Sequence, residues 1–352
     1  MAVQYGLRTR DASGVVTLDT SVTPIRSLKM LTVTGNGAFD QFISIPEITA
    51  GSFVVVDTLT DRGENTYSPA AWYAQGSLQL RQPGVEALQV MIMSRGEESG
   101  AGAGTYGIRT RNNNVLTQID SINRALTIRY SGTFQFGQQS NPGGQATVIQ
   151  WADVNFPAAI TTYERPLIFL NAADYMMVGN FSVKGAPGNW TGFRLKAWMN
   201  PAHGAAWLQF MTIKWFCSSY VTGAVDPGAY GARVRDANGV LLFATPMNIT
   251  NMNGQPASNS FVQAGPNLVS GNWFAPSQQM AWTASYDDYV LANALFSCTN
   301  IGATTQPIRA NFGGFWPGNR SILQMYVDNG SGINPLTANG RTLFAARPMR
   351  PL

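Results

Sequence analysis

Hydrophobic and polar residues alternate along much of the chain with a period of two, the pattern of β-strands that bury one face. In the segment 5–10, Tyr5, Leu7 and Thr9 alternate with glycine and arginine. Residues 11–14 (Asp-Ala-Ser-Gly) predict a type I turn, and a left-handed glycine commonly closes such a turn. The apolar run at 15–18 predicts the returning strand, so the chain opens on a short hairpin.

This opening pattern occurs three times. Each copy reads Tyr-Gly-x-Arg-x-Arg, then a polar turn, then an aliphatic run, and the copies start at Tyr5, Tyr106 and Tyr230. The starts lie 101 and 124 residues apart, which is the size of a small β domain and far longer than a solenoid repeat. The pattern therefore predicts three related domains.

Short apolar segments separated by turn residues follow each hairpin, which favours antiparallel β-sandwiches. The predicted strands are 28–34, 42–45, 52–56, 77–81 and 87–93, then 166–170, 175–178, 193–198 and 208–213, then 308–312 and 322–327. Each repeat is predicted to end on a strand with a Leu-Gln pair, beginning at Leu88, Leu208 and Leu323.

The predicted fold is all-β, with three tandem related antiparallel β-sandwich domains. We place the repeats at 1–101, 102–225 and 226–352, with a flexible Gly- and Ala-containing linker at 97–104. The prolines at 348 and 351 argue against a central strand near the end of the sequence. We therefore expect the third repeat to finish in an extended C-terminal arm that lies on a neighbour or remains loose.

The composition favours a protein that works packed against other proteins. Charged residues make up only 12%, about half the usual share, and Asn, Thr and Ser take their place. The net charge of +4 is not concentrated in any basic cluster, so we expect no nucleic-acid partner. No apolar run approaches the roughly 20 residues that span a bilayer, and no secretory signal opens the sequence, so we expect neither membrane insertion nor secretion.

Few residues suggest catalysis. His203 is the single histidine, so a histidine-based metal site is not expected, and we interpret Cys217 and Cys298 as buried free thiols. Carboxylates that could hydrolyse a glycoside in pairs are Asp57 with Asp61 or Glu64, and Asp287 with Asp288. None of these pairs recurs in the other repeats, and neighbouring loop carboxylates are usually solvated. The sequence predicts no enzyme and no cofactor.

Two sets of residues are candidates for binding. The first set, candidate assembly contacts, comprises the repeated arginines Arg8, Arg10, Arg109, Arg111, Arg233 and Arg235. Arginine suits interfaces, although the same residues could simply be exposed on the outer face of a hairpin. The second set, candidate receptor contacts in probable loops, comprises Trp72, Tyr73, Trp190, Trp273, Phe274 and Trp316. Such aromatic residues stack on sugars, anchor interfaces or cap the ends of sandwich cores.

The opening motif resembles a known element. Residues Tyr5-Gly6-Leu7-Arg8, the turn glycine Gly14 and the strand end Leu18-Asp19 resemble the N-terminal hairpin of minor tail proteins from long-tailed bacteriophages. The resemblance covers about 15 residues of each repeat. This sequence departs from the family in carrying three copies, and Thr9 and Thr110 replace the customary apolar residue that Val234 keeps.

The resemblance implies a structural protein of the virion without enzymatic activity, placed at the tail tip, the baseplate or a fibre attachment. It would be made in the host cytoplasm and would contact other phage tail proteins. Its threefold internal repeat suggests either a homotrimer or one chain that supplies three quasi-equivalent contacts. The alternative is a receptor-binding protein that recognises a host surface glycan or protein through its loop aromatics.

Overall fold

The computed structural model shows a nearly all-β chain with antiparallel sheets. In the part of the chain that it describes, the only helix is α1 (Ala292–Leu295). The structure describes residues 8–10, 14, 16–19, 25–61, 69–81, 83–94, 107–112, 115–120, 124–136, 150–172, 178–197, 211–220, 232–245, 247–252, 262–263, 268–270, 273–275, 278–281, 287–295, 311–316, 319–327 and 345–352.

The strands are numbered in chain order. Those of the first repeat are β1 (Arg8–Arg10), β2 (Val16–Asp19), β3 (Arg26–Thr34), β4 (Asp40–Ser44), β5 (Ser52–Thr58), β6 (Ala70–Ala74), β7 (Ser77–Arg81) and β8 (Ala87–Ser94). Those of the second are β9 (Gly107–Asn112), β10 (Val115–Asp120), β11 (Thr127–Phe136), β12 (Gln150–Ile160), β13 (Leu167–Ala172), β14 (Val178–Ala186), β15 (Asn189–Ala197) and β16 (Met211–Ser219). Those of the third are β17 (Arg233–Arg235), β18 (Leu241–Ala244), β19 (Thr250–Met252), β20 (Val262–Gln263), β21 (Leu268–Ser270), β22 (Trp273–Ala275), β23 (Gln278–Ala281), β24 (Tyr289–Leu291), β25 (Asn311–Trp316), β26 (Asn319–Val327) and β27 (Ala345–Pro348).

The first repeat forms two three-stranded antiparallel sheets, in the orders β3-β8-β5 and β4-β7-β6. Side chains from both sheets meet in one apolar core, as the alternation of each strand requires. This core includes Ile45, Ile48, Val54, Val56, Leu78, Leu80, Leu88, Val90 and Ile92. The two sheets therefore face each other across a shared core.

The second and third repeats share their sheets. One sheet has six strands in the order β11-β16-β13-β24-β27-β19, and the other has seven in the order β12-β15-β14-β25-β26-β23-β20. Strands of the two repeats pair directly, β13 with β24 and β14 with β25, both antiparallel. The ranges 102–225 and 226–352 are thus joined edge to edge in the described part of the chain.

The central strands β5 and β13 are buried on both faces. In β5, Val54 and Val56 point into the core of the first repeat, whereas Phe53 and Val55 point to the six-stranded sheet. In the same way β13 divides its side chains between that interface and the core under the seven-stranded sheet. The four sheets therefore stack as successive layers, which is why these strands are continuous apolar runs without polar alternation.

The strand orders repeat. We number the strands of each repeat from the first strand after its hairpin. The first, sixth and third strands then lie side by side, as β3-β8-β5 in the first repeat and β11-β16-β13 in the second. The third repeat has the order β19-β27-β24, with β20 to β22 as additional short strands. The second, fifth and fourth strands give β4-β7-β6, β12-β15-β14 and β23-β26-β25. One connectivity therefore describes all three sets of strands.

The prediction of an extended C-terminal arm is wrong for residues 345–348. These residues form β27, a central strand of the six-stranded sheet that pairs with β24 on one side and β19 on the other. Ala345 and Ala346 are fully buried, and Pro348 is the last residue of the strand, where a missing N–H disrupts the ladder least. Leu323 consequently lies in the penultimate strand, β26, and does not begin a terminal strand.

Two asparagines fix the junction between β13 and β24. The Nδ2 of Asn171 donates to the carbonyl of Asp288 at 2.6 Å, and the Nδ2 of Asn293 donates to the carbonyl of Pro166 at 3.1 Å. The two asparagines lie 122 residues apart in the sequence, and so do the two residues whose carbonyls accept. The two bonds are therefore equivalent and reciprocal, as in a twofold interface. Asn293 also accepts the Ile168 N–H at 2.7 Å.

We predict that Asn293→Ala and Asn171→Ala will each lower the free energy of unfolding by more than Asn155→Ala. The first change removes the partner of the Ile168 N–H and of the Pro166 carbonyl, and the second removes the partner of the Asp288 carbonyl, at about 1–3 kcal/mol for each buried group. Asn155 contacts Lys184 at the surface and serves as the control. Urea unfolding followed by tryptophan fluorescence measures the three values, and equal losses for Asn293 and Asn155 would contradict the assignment.

Candidate interaction surfaces

The hairpins of the first and third repeats share a left-handed glycine and a bulge. Gly14 and Gly239 both have φ 79°, and each hairpin carries a bulge beside its second arginine, which confirms the predicted turn with a left-handed glycine. In the third repeat, the Asp236 side chain accepts the N–H groups of Asn238 and Val240 at 2.9 Å. Aspartate at the first turn position supplies these acceptors, as its sequence position predicts.

The second arginine of the motif closes this turn. Arg10 Nη1 donates to the carbonyl of Gly14 at 2.6 Å, and Arg235 Nη1 donates to the carbonyl of Gly239 at 2.7 Å. Arg10 and Arg235 therefore have a local structural role that the sequence did not reveal, although the shared spacing of four residues was visible. The backbone of β9 contains Arg109 and Arg111, but their side chains lie outside the described residues.

The first arginine projects into solvent. Arg8 is exposed, and Arg233 is exposed on β17, whose central residue Val234 is buried against Phe243 and the rest of a small core. Alternation along the strand thus sends valine inwards and both arginines outwards. Arg8 and Arg233 are therefore exposed members of the predicted contact set.

The predicted loop aromatics occupy different environments. Trp190 lies in β15 and is fully buried, where its Nε1 donates to the Thr162 carbonyl at 3.0 Å, so the expectation of an accessible loop aromatic does not describe it. Trp72 and Tyr73 lie in β6 and are half-buried. Trp273 and Phe274 belong to β22 and Trp316 to β25, with side chains outside the described residues.

An exposed aromatic surface surrounds Trp72. The outer face of the β4-β7-β6 sheet presents Asp40, Phe42, Trp72, Gln79 and Arg81, with Phe39 beside them, and we call these six residues the outer aromatic face. Phe42 is 74% exposed and Phe39 is 59% exposed. The guanidinium of Arg81 lies 5.0 Å from the Phe39 ring centre and 4.9 Å from that of Trp72. Sequence analysis identified Trp72 but missed both phenylalanines, because they look like ordinary strand residues.

Three of the carboxylates considered for glycoside hydrolysis, Asp57, Asp61 and Asp288, belong to ion pairs. Asp57 lies 3.2 Å from Nη1 of Arg165, and Asp61 lies 2.6 Å from Nη2 of Arg194. Asp288 is buried and accepts Arg347 Nε at 2.8 Å. Glu64 and His203 lie outside the described residues. These three carboxylates thus stabilise contacts between strands and repeats.

Arg165 connects the first repeat to the second. Its side chain is fully buried, its Nη2 donates to the Thr58 carbonyl, and its backbone N–H donates to Gln89 Oε1 at 2.7 Å. The guanidinium also stacks over Trp190, 4.9 Å from the ring centre. Burial lowers the pKa of Arg165 through desolvation, and the charges of Asp57 and Asp61 oppose that shift.

An open groove crosses the uncovered end of the six-stranded sheet. It has a volume of about 610 Å³ and is lined by Thr133, Lys214, Asp287, Tyr289 and Met349, among others. Tyr289 is half-buried, and its pKa is raised by desolvation and by the neighbouring Asp287 carboxylate. The lining mixes charges of both signs with hydroxyl groups and shows no catalytic arrangement that can be assigned to a reaction.

Other functional classes gain no support from the described residues. Within them, no three His, Cys, Asp or Glu side chains cluster closely enough to hold a metal ion. No helix in the same part of the chain is long and apolar enough to cross a membrane. Cys217 is a buried free thiol, as predicted, and burial raises its pKa to about 12. Cys298 lies outside the described residues.

Comparison of the chain with protein-family models, with curated proteins and with solved structures finds no match. The functional proposal therefore depends on the residues and the geometry described above.

We predict that Arg165→Leu will lower the free energy of unfolding by about 3–5 kcal/mol, because it leaves the buried Asp57 carboxylate without its cation. The double variant Arg165→Leu with Asp57→Leu should recover much of this loss. Arg194→Leu is the comparison, since it breaks a pair that also joins the two repeats but is more exposed, so we expect a smaller loss. Denaturant unfolding compares the variants, and equal losses for both arginines would contradict the argument.

Proposed function

We propose that the chain is a structural protein of a bacteriophage tail, at the tail tip, the baseplate or a fibre attachment, that acts through contacts with other tail proteins. We further propose that it contains three copies of one unit, each a hairpin followed by a six-stranded antiparallel sandwich. The repeated strand order is the observation that carries this proposal, because sequence and topology agree on where each copy begins.

The joints between the units support an assembly role. Units two and three are linked by edge pairing, and unit one is docked on them by the face of its β3-β8-β5 sheet. Repeated units that bury one another leave their turns and outer faces for external partners. Neutral polar residues and few charges suit a surface that becomes an interface.

The contact between units two and three differs from the contact that unit one makes with them, and this difference limits the symmetry within one chain. Edge pairing and face docking cannot be interchanged by a threefold axis, so the three units are not equivalent within one chain. We therefore favour a homotrimer over a pseudo-threefold single chain as the source of any threefold arrangement. Host recognition through aromatic residues is the second proposal, and the exposure of Phe42 beside Trp72 favours it.

We predict that Arg8→Glu combined with Arg233→Glu will reduce incorporation of the chain into virions about tenfold, because it places two repelling charges at a contact. Both side chains are exposed, so the fold should survive. Lys214→Glu, an exposed charge reversal on β16 outside the hairpins, is the control. Immunoblots of purified particles measure incorporation.

Normal incorporation of the double arginine variant would contradict the role of the hairpins. Normal incorporation combined with particles that fail to adsorb would instead favour the receptor-binding alternative.

A further inference from the structure

The outer aromatic face lies on a sheet whose other side is fully engaged. In β7, Leu78 and Leu80 point into the core, so Gln79 and Arg81 point outwards, and β4 and β6 alternate in register with them. In the described part of the chain no further sheet pairs with or packs on this outer side. Outward positions of such a strand are normally polar, whereas this face presents aromatic rings.

Two of the rings, those of Phe39 and Trp72, are held in place by Arg81. Arg81 Nε donates to Asp40 Oδ1 at 3.0 Å and Nη2 to Oδ2 at 3.4 Å, so the guanidinium is fixed in a bidentate pair. From that position it contacts the Phe39 and Trp72 rings on either side. The hydrogen bond from Arg81 also holds the pKa of Asp40 below its usual value. Cation and anion neutralise each other, so the face carries no net charge.

The register sets the spacing of the rings. Phe42 and Trp72 are both direct cross-strand neighbours of Gln79, one on each side, so the row across the sheet reads aromatic, amide, aromatic. Two strand spacings, about 9.5 Å, separate the outer members. The Gln79 amide between them donates one N–H to the Asp40 carboxylate, and its oxygen and second N–H are the groups that a ligand can use. The row therefore offers two rings for stacking and an amide for hydrogen bonding along one direction.

These properties select among partners. A nucleic acid or an anionic polymer requires unpaired cations, and the arginine here is already paired with Asp40. A protein partner would bury these rings in pockets of its own, and the dimerisation outcome of the test below separates the case in which that partner is a second copy of the chain. Uncharged sugar rings offer apolar C–H faces for stacking on aromatic rings and hydroxyl groups for an amide. We propose that the outer aromatic face binds an extended, uncharged polysaccharide, with Phe42 and Trp72 stacking on sugar rings and Gln79 bonding the hydroxyl groups between them.

Affinity electrophoresis of the purified full chain tests this assignment. The gels contain a soluble β-glucan, an α-glucan or a mannan as neutral probes, or an alginate as an anionic probe. At least one neutral polysaccharide should retard the chain. Phe42→Ala and Gln79→Ala should each weaken that binding about tenfold, whereas Trp72→Phe should keep part of it. Val240→Ala, which trims an exposed apolar side chain on the third hairpin, is the matched control.

The contradicting results are distinct. No retardation by any neutral probe, retardation by alginate alone, or binding that Phe42→Ala leaves unchanged would each overturn the proposal. Concentration-dependent dimerisation that Phe42→Ala abolishes, without polysaccharide binding, would assign the face to a second copy of the chain. Because Phe42 is mostly solvent-exposed, its variant should keep the wild-type melting curve. The assay uses the isolated chain, so its outcome is independent of incorporation into virions.

Discussion

A buried polar side chain near the end of the third sandwich strand governs how the three repeats join. This position holds Asp57 in the first repeat, Asn171 in the second and Asn293 in the third, and all three are buried. Buried polar groups are normally satisfied, and here each of the three side chains has at least one partner in another repeat. Asp57 pairs with Arg165, and the two asparagines bond reciprocally across β13 and β24. Aspartate cannot donate as asparagine does, so the first repeat joins differently.

The joints in turn determine the layers. Because β5 and β13 are covered on both faces, each contributes to two cores at once, and the four sheets form one stack in the described part of the chain. The outermost sheet of the first repeat keeps a face towards solvent, and the hairpins project Arg8 and Arg233. The surfaces available to external partners are therefore those that the repeats do not bury against one another.

Local patterns in the sequence predicted local structure well. The hairpin turns at Gly14 and Gly239 and strands such as 77–81 follow from turn chemistry and period-two alternation, which act between near neighbours. The central place of β27, the burial of Trp190 and the Arg165–Asp57 pair depend on residues 28 or more positions apart. No spacing in the sequence encodes such contacts, and a tryptophan beside glycine and asparagine resembles a loop residue until its partner is known.

The central claim is that this chain assembles into a phage tail as three related sandwich units. A cryo-electron microscopy map of the intact particle tests it most directly. The account predicts density at the tail tip, the baseplate or a fibre attachment into which the four stacked sheets fit, with the hairpins of Arg8 and Arg233 against neighbouring proteins. A well-resolved map of the complete tail in which no density accommodates this chain would contradict the account.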